Sequence, residues 1–263
     1  MTLTPTRVHG LETLSNQLKG LGWRPDTPDW RDHDRIPMYL EQLPPSVRLD
    51  ETPYMPSVYD QESLGSCTAN ALSAAIEFDL RQQGLTDFTP SRLFIYYNER
   101  LLEHSVSEDA GAEIRDGAKT LHRAGVCSEV TWPYDVGMFA ERPSSAAYVE
   151  ALETKTVGYG RVARSAMRHM LASGIPFTIG FTVYDSFRQV GDDGIMPMPD
   201  GGVLGGHAVL ICGYATLGGD TLYYRARNSW GASWGDAGYF WMPSAYLVNS
   251  RLAQDFWAIQ SVS

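Results

Sequence analysis

Cysteine is scarce in this chain: three residues in 263, at Cys67, Cys127 and Cys212. An odd number so thinly spread gives neither a disulfide framework nor a spaced metal site, and all three read as thiols in a reducing compartment. Long apolar runs are missing too. Stretches such as Ile175-Pro176-Phe177-Thr178-Ile179-Gly180-Phe181 fall far short of the roughly 20 residues that cross a bilayer, so no membrane span is expected. Positive charge is in deficit, with 21 Lys+Arg against 31 Asp+Glu and a formal net charge of −10. That is the wrong sign for wrapping a phosphate backbone, which argues against nucleic acid as a partner. The first ten residues lack the basic-then-apolar layout of a secretory signal. The expected location is therefore cytoplasmic, or outside the cell by a route that needs no standard signal peptide.

What remains is the composition of a folding chain. Hydrophobic residues are 43% and charged residues 20%, which excludes disorder, and 25 Gly and 15 Pro in no fixed period exclude collagen-like sequence. The length suits one large domain or two small ones sharing a cleft. Residues 1–42, centred on Trp23-Arg24-Pro25-Asp26-Thr27-Pro28-Asp29-Trp30, are rich in turn formers and read as an extended arm. Leu11, Leu14, Leu18 and Leu21 have helical spacing, which predicts a short helix stopping at Gly22. Helices are predicted over 67–83, with Gly84 as stop, over 91–103 and over 113–123, and a shorter one over 165–171. Strands are predicted over 176–184, 206–215, 221–230, 238–242 and 255–262. Helices followed by strands imply an α+β protein of two lobes with a cleft between them.

Three segments could carry chemistry. In Gln61-Glu62-Ser63-Leu64-Gly65-Ser66-Cys67-Thr68 a cysteine opens a helix, where unpaired N–H groups and the helix dipole favour a thiolate. A small buried residue at a helix start is the plain alternative. Gln61 lies on the same tight loop, and its amide can join the Cys67 backbone N–H in binding an oxyanion. In Gly205-Gly206-His207-Ala208-Val209 a histidine begins a strand that is apolar on both faces. In Asn228-Ser229-Trp230-Gly231-Ala232-Ser233-Trp234 an Asn can orient an imidazole while an indole shields the bond from water. Each of the last two could equally be structural. The acidic loop Asp192-Asp193 reads as solvated surface.

In the order Cys, His, Asn, these pieces resemble the papain-like cysteine peptidases, in a bacterial branch, over most of residues 43–262. The resemblance implies a two-lobe α+β fold, a helical lobe over about 55–155 and an antiparallel, β-barrel-like lobe over about 156–263, with the active site in the cleft. It assigns Cys67 as nucleophile, His207 as base and acid, Asn228 as orienter and Gln61 to the oxyanion hole. It puts Gly111 and Gly206 against the substrate, Trp230 over the Asn–His bond and Trp234 on the leaving-group side, with Phe177 near an apolar pocket. Leu64 replaces the cysteine that opens the family signature and Thr68 the aromatic after the nucleophile, so the disulfide that usually braces this loop cannot form. Residues 1–42 are then expected to be a propeptide-like flap or, alternatively, an arm packed on the outside of the β lobe, on a peptidase domain of residues 43–263. The expected activity is endopeptidase hydrolysis through a thioester. Aminopeptidase, deamidase or acyl-transfer use of the same site, or an inactive peptide-binding member, are the rivals. No metal or organic cofactor is implied; the expected partner is a peptide or protein substrate met by a monomer.

Overall fold

The computed structural model describes residues 18–262 other than 36 and 38. The strands are β1 (Val47–Arg48), β2 (Thr156–Arg161), β3 (Phe177–Tyr184), β4 (Val203–Leu217), β5 (Thr221–Arg227), β6 (Tyr239–Pro243) and β7 (Ala253–Val262). They form one antiparallel sheet in the order β2-β7-β3-β4-β5-β6, with β1 also on β4. The sheet is open rather than closed into a barrel, so the barrel-like description is corrected to a sheet with edges at β2 and β6.

The helices are α1 (Cys67–Gln83), α2 (Arg92–Leu102), α3 (Ile114–Arg123), α4 (Ser145–Ala151), α5 (Met167–Ala172) and α6 (Ser244–Val248). Gly84 ends α1 in the left-handed conformation at φ 69°, as its place after the helical run predicts. The Ser91 hydroxyl caps α2 by accepting from the Phe94 N–H at 3.1 Å. Sequence periodicity does not reveal β2, α4 or α6: Thr156-Val157-Gly158-Tyr159-Gly160-Arg161 has two glycines in six residues, and the two helices are five and seven residues long. The helix expected to end at Gly22 falls mostly on residues 1–17, outside the described residues, and residues 18–22 form no helix.

Two hydrophobic clusters lie on the two faces of the sheet's middle. Phe177, Ile179, Phe181, Val209 and Ile211 join one. Leu72, Ile76, Leu93, Phe94, Ile114 and Leu121 of α1, α2 and α3 form the other, together with Ala208 and Leu210. Alternate residues of β4 thus serve opposite cores, which explains why this strand reads as a continuous apolar run. α1 is buried along most of its length because it is wedged between α2, α3 and β4. The arm meanwhile reaches the sheet edge, where Asp34 bridges Arg161 of β2 and blunts that exposed strand.

Phe181 is the aromatic hub of the first cluster, with Phe187, Phe240, Tyr246 and the His207 ring around it. Phe181→Ala should cost about 3–5 kcal/mol in denaturant unfolding, by lost transfer energy and the cavity left behind. Val149→Ala, at a position 66% exposed, should stay within about 0.5 kcal/mol.

Candidate active site

Cys67 is the first residue of α1 and His207 lies near the start of the buried part of β4. Because α1 packs on β4, the backbone N–H of Ala208, the residue after the histidine, points at the Cys67 sulfur, as does that of Thr68. His207 donates from Nε2 to Asn228 Oδ1 at 2.8 Å, and the same oxygen accepts from the Ser229 N–H at 2.9 Å. This fixes the tautomer with the proton on Nε2 and leaves Nδ1, buried without a hydrogen-bond partner, as the basic atom. The Trp230 ring covers the imidazole at 4.8 Å between centroids and Phe181 meets its edge at 5.7 Å. Trp234 packs edge-on against Trp230 at 5.2 Å and is buried with it. The imidazole–amide bond is therefore sealed from water.

Gln61 is fully buried and fixed from several directions. Its N–H donates to Ser229 O at 2.8 Å, its Oε1 accepts from Ser229 Oγ at 2.6 Å, and its Nε2 donates to Leu64 O at 2.7 Å. The second Nε2 hydrogen goes to Gly20 O at 2.8 Å. The arm thus lies directly in the cleft. Gly22 O accepts from the Ala112 N–H at 2.8 Å, Ala112 O from the Arg24 N–H at 3.1 Å, and Gly206 O from the Trp23 N–H at 3.1 Å, while the Gly22 N–H points at the Cys67 sulfur. The approach is so close that a methyl group built on Gly22 would stand 1.7 Å from Gly65 O. Only glycine fits there.

The Trp23 indole fills a slot walled by Gly180 and Gly206; side chains at either glycine would run into it. At the slot's end Trp23 Nε1 donates to Asp255 Oδ2 at 3.2 Å. Asp255 also accepts the Asp26 N–H at 2.8 Å, and Asp26 Oδ2 accepts from Trp257 Nε1 at 2.6 Å. Burial, with help from the Asp255 charge, pushes the Asp26 carboxyl up to about 7. Burial likewise raises Asp255. The two carboxyls therefore accommodate one proton between them more readily than two charges.

Burial sets the titration of Cys67 and His207. Burial pushes the Cys67 thiol up to about 11, against the N–H groups that favour the thiolate. It pushes the His207 imidazole down to about 4, against the Asn228 bond that favours the cation. The thiolate expected from the helix start is thus overridden: desolvation penalises both charges and favours a neutral thiol and a neutral imidazole. Glu99 adds to this, lying fully buried beneath Thr68, whose hydroxyl donates to its Oε2 at 2.8 Å. Burial raises the Glu99 carboxyl well above the usual carboxylate range.

The structure brings Cys67, His207, Asn228, Gln61, Gly206 and Trp230 together around one cleft. Gly111 lies beside it with a methyl-sized space closed by Gly22 O, but the backbone that pairs with the arm belongs to its neighbour Ala112. Phe177 does not line the slot; it is buried in the core against Phe256, and Gly180, three residues along β3, forms the wall. Asp192 and Asp193 are exposed. Trp23, Asp26 and Asp255 were not predicted as site residues. The Gly20-Leu21-Gly22-Trp23 spelling was the available signal, since glycine alternation before an aromatic suits a chain squeezed through a narrow groove.

Residues 43–256 match the model of the family described as papain family cysteine protease. In structure, the chain is similar to xylellain, a cysteine protease from Xylella fastidiosa, with a TM-score of 0.84 and 42% identity over 93% of this chain and 97% of that one. It is 43% identical to an uncharacterized peptidase C1-like protein of Acanthamoeba polyphaga mimivirus, over 79% of this chain and 70% of that protein. Cathepsin B-like CP3 of Giardia intestinalis is 31% identical over 80% of this chain and 73% of its own length. With the thiol, imidazole and two amides of its cleft held in one constellation, the chain belongs to the papain family of cysteine proteases.

Proposed function

We propose that the chain is a thiol endopeptidase whose cleft is closed by its own N-terminal arm. The observation that carries this reading is the Gln61 Nε2 bond to Gly20 O: a peptide carbonyl occupies the donor that would serve the oxyanion. With a substrate there instead, Cys67 Sγ attacks the peptide carbonyl as His207 Nδ1 takes the thiol proton. Gln61 Nε2 and the Cys67 N–H hold the oxyanion, and His207 returns the proton to the leaving amine as the C–N bond breaks. Water then loses a proton to His207 and hydrolyses the thioester, releasing the acid and restoring the thiol. Asn228 keeps the imidazole in the required tautomer, Trp230 and Trp234 wall the leaving-group side, and Gly206 and the Gly111–Ala112 backbone pair with the peptide as an added strand.

Cys67→Ala should abolish hydrolysis of an N-blocked peptide amide and, with it, labelling by an epoxide-type thiol inhibitor. Labelling that persists on Cys127 or Cys212 overturns the assignment. Gln61→Ala should lower kcat by about 10²–10³, the usual cost of one oxyanion donor.

The arm generates its own prediction. Gly22→Val cannot be accommodated against Gly65 O, so it should displace the arm and raise peptide hydrolysis above that of the unaltered chain. In the closed chain the thiol is held near 11, so carbamidomethylation by iodoacetamide should be slow at pH 7 and climb only as the pH approaches that value. In Gly22→Val, readmitted water and the imidazolium should bring the reactive thiolate down to neutral pH. Equal pH profiles for the two chains would rule out the arm as a lid.

A further inference from the structure

Gln61 sits on a loop that, with Leu64 in place of the family's cysteine, has no disulfide brace. A dense polar cluster occupies its flank. Arg92, the first residue of α2, is 8% exposed, and its guanidinium is stacked between the Tyr134 and Tyr59 rings, at 4.0 and 4.8 Å from their centroids. Nη1 donates to Asp60 O at 2.9 Å and to Asn70 Oδ1 at 3.1 Å. Nε and Nη2 engage the Glu129 carboxylate at 2.5 and 3.2 Å. All three nitrogens of the ion are thereby engaged.

The partners of Arg92 lead back to the reacting groups. Tyr134 donates its O–H to Gln61 O at 2.8 Å and, with that proton committed, accepts from Ser66 Oγ at 2.6 Å. Burial keeps this phenol protonated, with its acidity pushed to about 12. Asn70 Nδ2 donates to Ser66 O and Oγ at 2.9 and 3.1 Å, so the residue just before the nucleophile belongs to the same network. The peptide units on both sides of Gln61 are thereby fixed, through Asp60 O by Arg92 and through Gln61 O by Tyr134.

We propose that Arg92 is a positioning residue that fixes Gln61 as the oxyanion donor, supplying through charge-assisted hydrogen bonds and ring stacking the bracing that a disulfide would give. The inference rests on the proposed role of Gln61. A guanidinium suits the task because its planar fork reaches a carbonyl, an amide oxygen and a carboxylate at once while presenting two faces to aromatic rings. Lysine has one donor centre and no plane, so it replaces little of this.

A double-mutant cycle on the full chain tests it. Arg92→Ala should lower kcat for an N-blocked peptide amide by about tenfold or more, with KM little changed, as expected for loss of stabilisation confined to the transition state. In the Gln61→Ala background the same substitution should lower kcat by less than about twofold, because its effect is transmitted through the amide already removed. Additive losses would overturn the inference, since a general loosening of the helical lobe acts regardless of Gln61. If Gln61→Ala alone leaves kcat unchanged, the oxyanion assignment fails instead. A second measurement needs no turnover: exchange of the Gln61 backbone N–H, bonded to Ser229 O, should quicken by about tenfold or more in Arg92→Ala while that of Ile179 and Phe181 in β3 stays unchanged. Unchanged exchange at Gln61 sinks the proposal even in a chain whose arm keeps turnover too low to measure.

Discussion

Everything the cleft does depends on the first turn of α1 abutting β4. That contact lays the Cys67 sulfur beside the backbone N–H of Ala208, the residue after His207. It holds because β4 has a core on each face: Ala208 and Leu210 face the helices, while Val209 and Ile211 face the other cluster. A strand clamped from both sides cannot slip, since a shift of one residue would exchange its two apolar sets and take His207 away from Asn228 and Trp230. Precision at the site is therefore a by-product of hydrophobic packing remote from the reacting atoms.

Burial then decides the charge state. A helix start and several aligned N–H groups, that of Gly22 among them, favour a thiolate, and the Asn228 amide favours an imidazolium, yet burial overrides both preferences. Removing water costs each ion more than the local dipoles return. Exclusion of water from the cleft thus favours the uncharged forms of both groups. The arm's hold is polar at both ends, by Lys19 on Asp60 and by Asp26 and Asp255 with the two indoles, and apolar between, where Trp23 fills the slot beside Gly180.

The loop before the nucleophile shows how noncovalent bonds can stand where a covalent tie is missing. Gly65 N–H is held by the Asp109 carboxylate at 3.0 and 3.1 Å, Gln61 by Ser229 and Tyr134, and Asp60 by Arg92. Such bonds are individually worth little in net stability, but converging on one short loop from α2, from residue 134 and from the β5–β6 connection they leave its peptide groups few alternatives. In a chain with three cysteines, all free and buried, the loop before Cys67 is held in shape without a disulfide.

The amino-acid sequence by itself determined α1, α2, α3, α5 and the strands β3 to β7, because each carries a local signal: apolar spacing, a glycine stop or a β-branched and aromatic run. It also offered Cys67, His207, Asn228 and Gln61 as candidates, since the resemblance resides in residue type and chain order. Only the tertiary structure decided that the sheet stays open, that β2 exists despite its glycines, and that Gly180 rather than Phe177 walls the slot. It alone showed Ala112 as the pairing backbone, Arg92 behind Gln61, and Asp26 meeting Asp255 across 229 positions of sequence. These facts arise from close approach between distant segments and from the water that approach expels, and neither distance nor desolvation is written in the spacing of residues along one strand or helix.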